Sequence, residues 1–123
     1  MKKVALIIEK GEQALWGRVT VNENLITAEA NTVSELETEL HQLIFEFEGL
    51  AAIEFERYYD VFALFEEFDF INISKFAKYA DINPGQLRQY ASGVKHPREA
   101  QAKKIEQAFH KLSKEINKIA MYY

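Results

Sequence analysis

Residues 73–92 limit the possible folds more than any other part of this chain, because they favour two short helices joined by a tight turn. Ala77 falls where two such helices cross, a place that admits only a small side chain. Asn83 and Pro84 predict the start of the second helix, since Asn is a good N-cap and Pro a favoured first helical residue. The stretch therefore predicts two helices at an angle rather than one long helix.

The same stretch supplies an apolar core and a turn residue. Asp81 occupies the turn, and Asp is among the few residues that tolerate a left-handed backbone. We expect the core of the helix pair to consist of Phe76, Ala77, Ile82, Leu87 and Tyr90.

The outward positions of the second helix carry hydrogen-bonding side chains rather than acidic ones. Gln86, Arg88 and Gln89 are of the types that bond base edges in the major groove of DNA. This layout is typical of a DNA-reading helix-turn-helix, while a helical hairpin that only packs is the alternative. Contacts to DNA phosphates are expected from Lys75, Ser92, Lys95 and Arg98.

Charge is divided sharply along the chain, although the net charge is only -4. Residues 1–67 hold five Lys/Arg and fourteen Asp/Glu, a net charge of -9. Residues 68–123 hold ten Lys/Arg and five Asp/Glu, a net charge of +5. The basic part suits DNA phosphates, whereas the acidic part would repel them and attract a basic protein.

Strand patterns and one amphipathic helix precede the helix pair, so we expect an α+β fold. A small antiparallel sheet with one helix is predicted for a domain of residues 1–60, with Trp16 in its core. Thr32 and Glu35 form a capping box that begins the helix, and Gly49 is a plausible end. Residues 61–123 are predicted to form the all-helical DNA-binding domain, with residues 61–68 as its first helix.

The last helix is predicted to begin at Pro97 and to continue to Tyr123, because apolar residues repeat at alternating spacings of three and four. Its contact residues are expected to be Ile105, Phe109, Leu112, Ile116 and Ile119. Such a stripe indicates packing against another subunit or against the N-terminal unit. A homodimer or higher homo-oligomer is the expected assembly.

The sequence gives little support for catalysis or for membrane insertion. The chain has no cysteine and no long apolar run, which is typical of a cytoplasmic protein. The predicted strands carry only Glu9, Glu29, Glu54 and Glu56, too few carboxylates for a two-metal nuclease. No catalytic residue, metal site or cofactor is expected. The acidic helix residues are either a partner surface or a solvated face: Glu35, Glu37, Glu39, Glu46 and Glu48.

Taken together, these segments resemble a HicB-type antitoxin of a toxin–antitoxin system. Residues 61–112 are similar to the Cro/lambda-repressor-like helix-turn-helix family through residues 76–80, 82–90, 92–93 and 95–97. Residues 3–58 resemble the partial ribonuclease-H-like fold of HicB, through Thr32 and Glu35. The resemblance implies that the N-terminal unit covers a small basic RNA-cutting toxin while the C-terminal unit represses its own operon on double-stranded DNA. The alternative is a stand-alone regulator whose N-terminal domain serves oligomerisation or sensing.

Overall fold

The structure is a computed structural model that describes every residue from Met1 to Tyr123, and its fold is α+β. Two units divide the chain, Met1–Phe68 and Asp69–Tyr123. The first contains β1 (Lys2–Lys10), β2 (Leu15–Val21), β3 (Asn24–Ala30), α1 (Val33–Glu48), β4 (Ile53–Tyr59) and α2 (Val61–Glu67). The second contains α3 (Ile73–Tyr79), α4 (Pro84–Ala91) and α5 (Glu99–Ile116). None of these helices combines the length and the apolar character needed to cross a bilayer.

The strands form one four-stranded sheet in the order β3-β2-β1-β4. β1 pairs antiparallel with β2, and β2 pairs antiparallel with β3. β4 pairs parallel with β1, so the sheet is mixed and the prediction of an antiparallel sheet was wrong for this pair. Helix α1 carries the chain back to the end of the sheet where β1 begins. Side-chain alternation is the same in both pairings, so it does not encode strand direction.

Helix α1 covers one face of the sheet and closes the core of the first unit. The hydroxyl of Thr32 accepts a 3.1 Å hydrogen bond from the Glu35 amide, and Gly49 ends the helix with a φ of 69°. Both predicted ends of this helix are confirmed. A Cβ on Gly17 would lie 2.7 Å from the Leu36 side chain, so glycine lets α1 approach β2 closely. The core consists of Val4, Leu6, Ile8, Leu15, Val19, Val21, Ile26, Ala28, Val33, Leu36, Leu40, Ile44, Ile53 and Ala63.

The opposite face of the sheet, called the outer sheet face below, is open to solvent. Strand register places thirteen side chains on it: Lys3, Ala5, Ile7, Glu9, Trp16, Arg18, Thr20, Leu25, Thr27, Glu29, Glu54, Glu56 and Tyr58. Trp16 is 47% exposed, so the prediction that it belongs to the core was wrong. It alternates with the inward-facing Leu15 and Gly17, and this alternation directs the indole away from α1.

Helix α2 belongs to the first unit in the structure. The Asp60 carboxylate caps it by accepting a 2.6 Å hydrogen bond from the Ala63 amide. Ala63 is fully buried in the core formed by the sheet and α1. The division between the units therefore falls after Phe68, whereas the sequence-based division fell between residues 60 and 61. The phenylalanine-rich pattern predicted the helix itself but not the core in which it would be buried.

The second unit is built from helices α3, α4 and α5 around a small apolar core. The residues predicted for the helix-turn-helix core are all buried: Phe76, Ala77, Ile82, Leu87 and Tyr90. The side chain of Ala77 is fully buried, as expected for a residue where helices pack closely. Helix α5 adds Ile105 and Ala108 to this core, and its Phe109 ring lies 4.6 Å from the ring of Phe76.

Helix α5 is shorter at both ends than the sequence predicted. It begins at Glu99 with Arg98 as N-cap, rather than at Pro97, and it ends at Ile116 rather than Tyr123. Ile105 is buried and Phe109 and Leu112 are half-buried, whereas Ile116 and Ile119 are exposed. Because α5 ends at Ile116, Ile119 lies outside the helix and the last residue of the predicted contact stripe is not helical. The apolar residues after Leu112 are exposed, so the second unit does not bury them.

Candidate nucleic-acid interface

The turn between α3 and α4 is held by main-chain hydrogen bonds and one left-handed residue. The amide of Ala80 donates to the Phe76 carbonyl at 2.9 Å, and that of Ile82 donates to the Ala77 carbonyl at 2.9 Å. Asp81 between them has a φ of 58°, which confirms the predicted left-handed conformation. These bonds end α3 and redirect the chain within a few residues, as a helix-turn-helix requires.

The second helix of the pair begins as the sequence predicted. Asn83 is its N-cap, and the side-chain oxygen accepts a 3.1 Å hydrogen bond from the Gln86 amide. Pro84 follows at the first helical position, where its missing N–H is not needed. Helix α4 therefore has a defined start directly after the turn, and this start fixes which of its side chains face outward.

The exposed surface of α4 is polar and contains Arg88 and Gln89, two of the three predicted base-reading residues. At about 100° per residue, Leu87 and Tyr90 point to the core. The opposite side presents Gly85, Arg88, Gln89 and Ser92, and Gln86 lies at its edge, half-buried. We call Gln86, Arg88 and Gln89 the polar face of α4. It contains amide and guanidinium donors and no carboxylate.

Arg88 is held in place by a serine of the preceding helix. Its Nη1 donates a 2.8 Å hydrogen bond to the Ser74 hydroxyl at the start of α3. The bond uses one of five guanidinium N–H donors, so the remaining donors can meet a base or phosphate. Sequence reasoning did not single out Ser74, and no local spacing connects it with Arg88.

The predicted phosphate-binding residues lie on α3, at the C-terminal end of α4 and in the loop that follows it. Lys75 is exposed in the first turn of α3, next to Ser74. Ser92 is the C-cap residue of α4, and its hydroxyl donates to the Gln89 carbonyl at 3.2 Å. The Lys95 amide also donates to the Gln89 carbonyl at 3.2 Å, which holds the exit loop beside the helix end. Arg98 is exposed and lies farther along that loop as the N-cap residue of α5.

Lys104 is a further residue that sequence reasoning missed. Its Nζ donates a 3.2 Å hydrogen bond to the main-chain carbonyl of Asp81. The lysine thereby connects α5 to the turn of the helix pair. Its position in the last helix gave no sign of this, because the contact depends on how α5 packs.

Two groups of glutamates in the first unit were considered for function, one on the strands and one on α1. Glu9, Glu29, Glu54 and Glu56 all lie on the outer sheet face, and no group of His, Cys, Asp or Glu is arranged to hold a metal ion. On α1, Glu37 accepts hydrogen bonds of 2.9 Å each from Nε and Nη2 of Arg57. This paired carboxylate raises the pKa of the Arg57 guanidinium. Three of the five acidic α1 side chains that were candidates for a partner surface accept side-chain hydrogen bonds within the unit: Glu37, Glu46 and Glu48.

Glu48 at the end of α1 is bound by two asparagines. The Asn24 side chain donates to its carboxylate at 2.8 Å and the Asn22 side chain at 3.2 Å. These bonds lower the pKa of Glu48 below its ordinary value, and the bond from Asn24 is the largest cause of the shift. Burial raises the pKa of the Tyr59 hydroxyl on the strand β4. Both shifts are explained by the packing of the sheet and α1.

Comparison of the chain with protein-family models, curated proteins and solved structures found no match.

Proposed function

We propose that this protein is an antitoxin of the HicAB type, with one activity in each unit. The second unit binds its own operator in double-stranded DNA and represses transcription. The first unit binds and neutralises a small basic RNA-cutting toxin. The observation that carries the DNA half is the polar face of α4, exposed directly after a tight turn that contains a left-handed Asp81.

Sequence would be read by the polar face of α4 in the major groove. Arg88 matches the acceptor pair of guanine, and Gln89 matches the donor and acceptor of adenine. Gln86, at the edge of this face, reaches a neighbouring base. Lys75, Ser92, Lys95 and Arg98 meet phosphates on either side, which positions the helix without reading sequence. The charge of +5 on residues 68–123 supports this division of roles.

A homodimer would present two copies of α4 to a palindromic operator. Two-fold symmetry in the protein then matches half-sites about one helical turn apart. Exposed Ile116, with half-buried Leu112 one helical turn before it, offers an apolar surface at the end of α5 for that contact. The dimer keeps the two α4 helices at a fixed spacing.

The partner half of the proposal is supported by charge. Residues 1–67 carry a net charge of -9, which favours a basic protein and disfavours nucleic acid. The first unit would act by covering the toxin rather than by any reaction of its own. Purification of the tagged full-length protein from its native cells should bring down a small basic protein encoded beside it. DNA binding without any such partner would leave a stand-alone regulator.

Binding to duplex DNA tests the first half directly. We expect the full-length protein to bind duplex from upstream of its gene more tightly than a scrambled duplex of equal length. Arg88→Ala should weaken specific binding by about 1–3 kcal/mol, because a bidentate base contact is lost. Lys103→Ala, which removes an exposed cation on α5, is the matched control and should leave specificity unchanged. Equal affinity for both duplexes at moderate salt would contradict sequence-specific binding.

A further inference from the structure

The outer sheet face combines exposed aromatic and acidic side chains in a fixed arrangement. Strand register puts Glu9 beside Trp16 and Trp16 beside Glu29, so the indole stands between two carboxylates in one row. Directly paired residues have their Cβ atoms about 5 Å apart, which brings both carboxylates within reach of a group on the ring. In the next row, Tyr58 lies beside Ile7 and Ile7 beside Arg18.

The two aromatic side chains are held in place although they are exposed. A Cβ on Gly11 would overlap the Trp16 indole, so the ring lies directly on the glycine backbone. Tyr58 is 54% exposed, and its hydroxyl donates to Glu56 at 3.3 Å. A shallow cavity of about 440 Å³ lies beside Tyr58 and includes Ile7, Glu9 and Arg18 in its lining. Aromatic side chains that are already ordered lose little entropy when a partner binds, so they suit a binding surface.

The charges on this face point to one class of occupant. Four glutamates stand against two cations, Lys3 and Arg18, and the Arg18 Nε already donates to Glu9 at 3.0 Å. Phosphates of a nucleic acid would be repelled here, and a second copy would bring like charges together. Lysine and arginine side chains are attracted both to carboxylates and to the faces of Trp and Tyr rings.

We infer that the outer sheet face is the docking surface for a basic protein segment, whose Lys or Arg side chains stack on Trp16 and Tyr58 and pair with the neighbouring glutamates. The inference rests on the proposed function, from which it takes the class of partner, a basic protein. It adds the surface to which that partner binds. Helix α1 is the competing surface through Glu35 and Glu39, because its Glu37, Glu46 and Glu48 already accept side-chain hydrogen bonds within the unit. On the outer sheet face, Glu29 and Glu54 have no side-chain hydrogen bond.

An NMR titration of the isotope-labelled full-length protein with an oligoarginine peptide tests the inference. The largest shifts are expected at the Trp16 indole N–H and at amides of residues 16–18 and 56–58. Trp16→Ala should weaken peptide binding about ten-fold. Phe45→Ala is the matched control, because it removes a similarly exposed ring on α1, and should change affinity by less than about two-fold. A second pair keeps Trp16 intact: Glu29→Gln should weaken binding and Glu39→Gln should not.

Three outcomes would overturn the inference. Shifts confined to α1 would place the basic partner on the helix and leave the antitoxin proposal standing. A lack of binding at low salt would count against both this surface and the basic partner. Shifts at Trp16 that follow protein concentration alone, or that need a single-stranded oligonucleotide, would assign the surface to a second copy or to nucleic acid. DNA binding by the second unit is measured separately and does not depend on any of these results.

Discussion

The turn between α3 and α4 requires a left-handed backbone at residue 81, which is Asp rather than glycine. The φ of 58° at Asp81 is a conformation that costs an L-residue about 1–2 kcal/mol, less for Asp than for most others. Glycine would remove this cost, although it also gains freedom in the unfolded chain. The helix pair therefore stores a small strain at a single position.

We predict that Asp81→Gly stabilises the protein by about 0.5–1 kcal/mol in urea unfolding. The bond from Lys104 to the carbonyl of residue 81 is a main-chain contact and should persist. Asp81→Ala is the control, and it should be no more stable than the parent because alanine lacks the tolerance of Asp. A loss of stability in the glycine variant would show that the Asp81 side chain contributes more than the strain costs.

At the scale of single residues, positions set by local sequence could be predicted, whereas positions set by contacts between elements could not. Asn83 and Pro84 act within their own turn of helix, so their identity alone predicted their places. Trp16 was misassigned because its exposure depends on which face of β2 is covered, and that is decided by α1 packing on Gly17. The link from Arg88 to Ser74 depends likewise on the crossing of two helices.

Among the elements, α1 is connected to the β2–β3 hairpin by a polar contact at its last residue. Glu48 accepts hydrogen bonds from Asn24, the first residue of β3, and from Asn22 in the hairpin turn, and its pKa is lowered as a result. A carboxyl whose pKa is lower in the folded state stabilises the fold at neutral pH. This contribution is lost as the pH falls through the folded-state pKa.

We expect Asn24→Ala to raise the pKa of Glu48 towards its ordinary value, because the largest cause of the shift is removed. A carboxyl-carbon NMR titration of full-length protein measures this directly. The acid side of the stability curve should also lose part of its dependence on pH. Glu48→Gln, which cannot titrate, provides the baseline for that curve. An unchanged pKa for Glu48 in the Asn24 variant would assign the shift to other neighbours.

The strands and helices were largely predictable, whereas their directions and ends were only partly so. Capping residues with local partners, Thr32 and Gly49, marked the ends of α1 correctly. Helix α5 was overextended because apolar spacing indicates a face but not whether a neighbour exists to bury it. The parallel pairing of β4 with β1 was missed for a related reason, since it is set by the path of the intervening helix.

For the whole molecule, the proposed dimer rests on the end of α5. Ile116→Asp should convert a dimer to a monomer in light scattering, because a charge would be buried in an apolar contact. Gln107→Asp adds the same charge on the opposite side of α5 and should leave the dimer intact. Both positions are exposed within one chain, so each variant should keep its free energy of unfolding within about 0.5 kcal/mol. A dimer that survives Ile116→Asp must form through another surface.

The parallel pairing of β4 with β1 has a consequence for how the protein is made. During synthesis β1, β2 and β3 emerge first, yet one edge of β1 stays unpaired until β4 has followed. Ala63 of α2 must then enter the core before the first unit is complete. Because chains are made from the N-terminus and domains fold as units, the first unit can mature while the second is still being translated. Under the proposed function, a newly made chain would thus be ready for its protein partner before it could bind DNA.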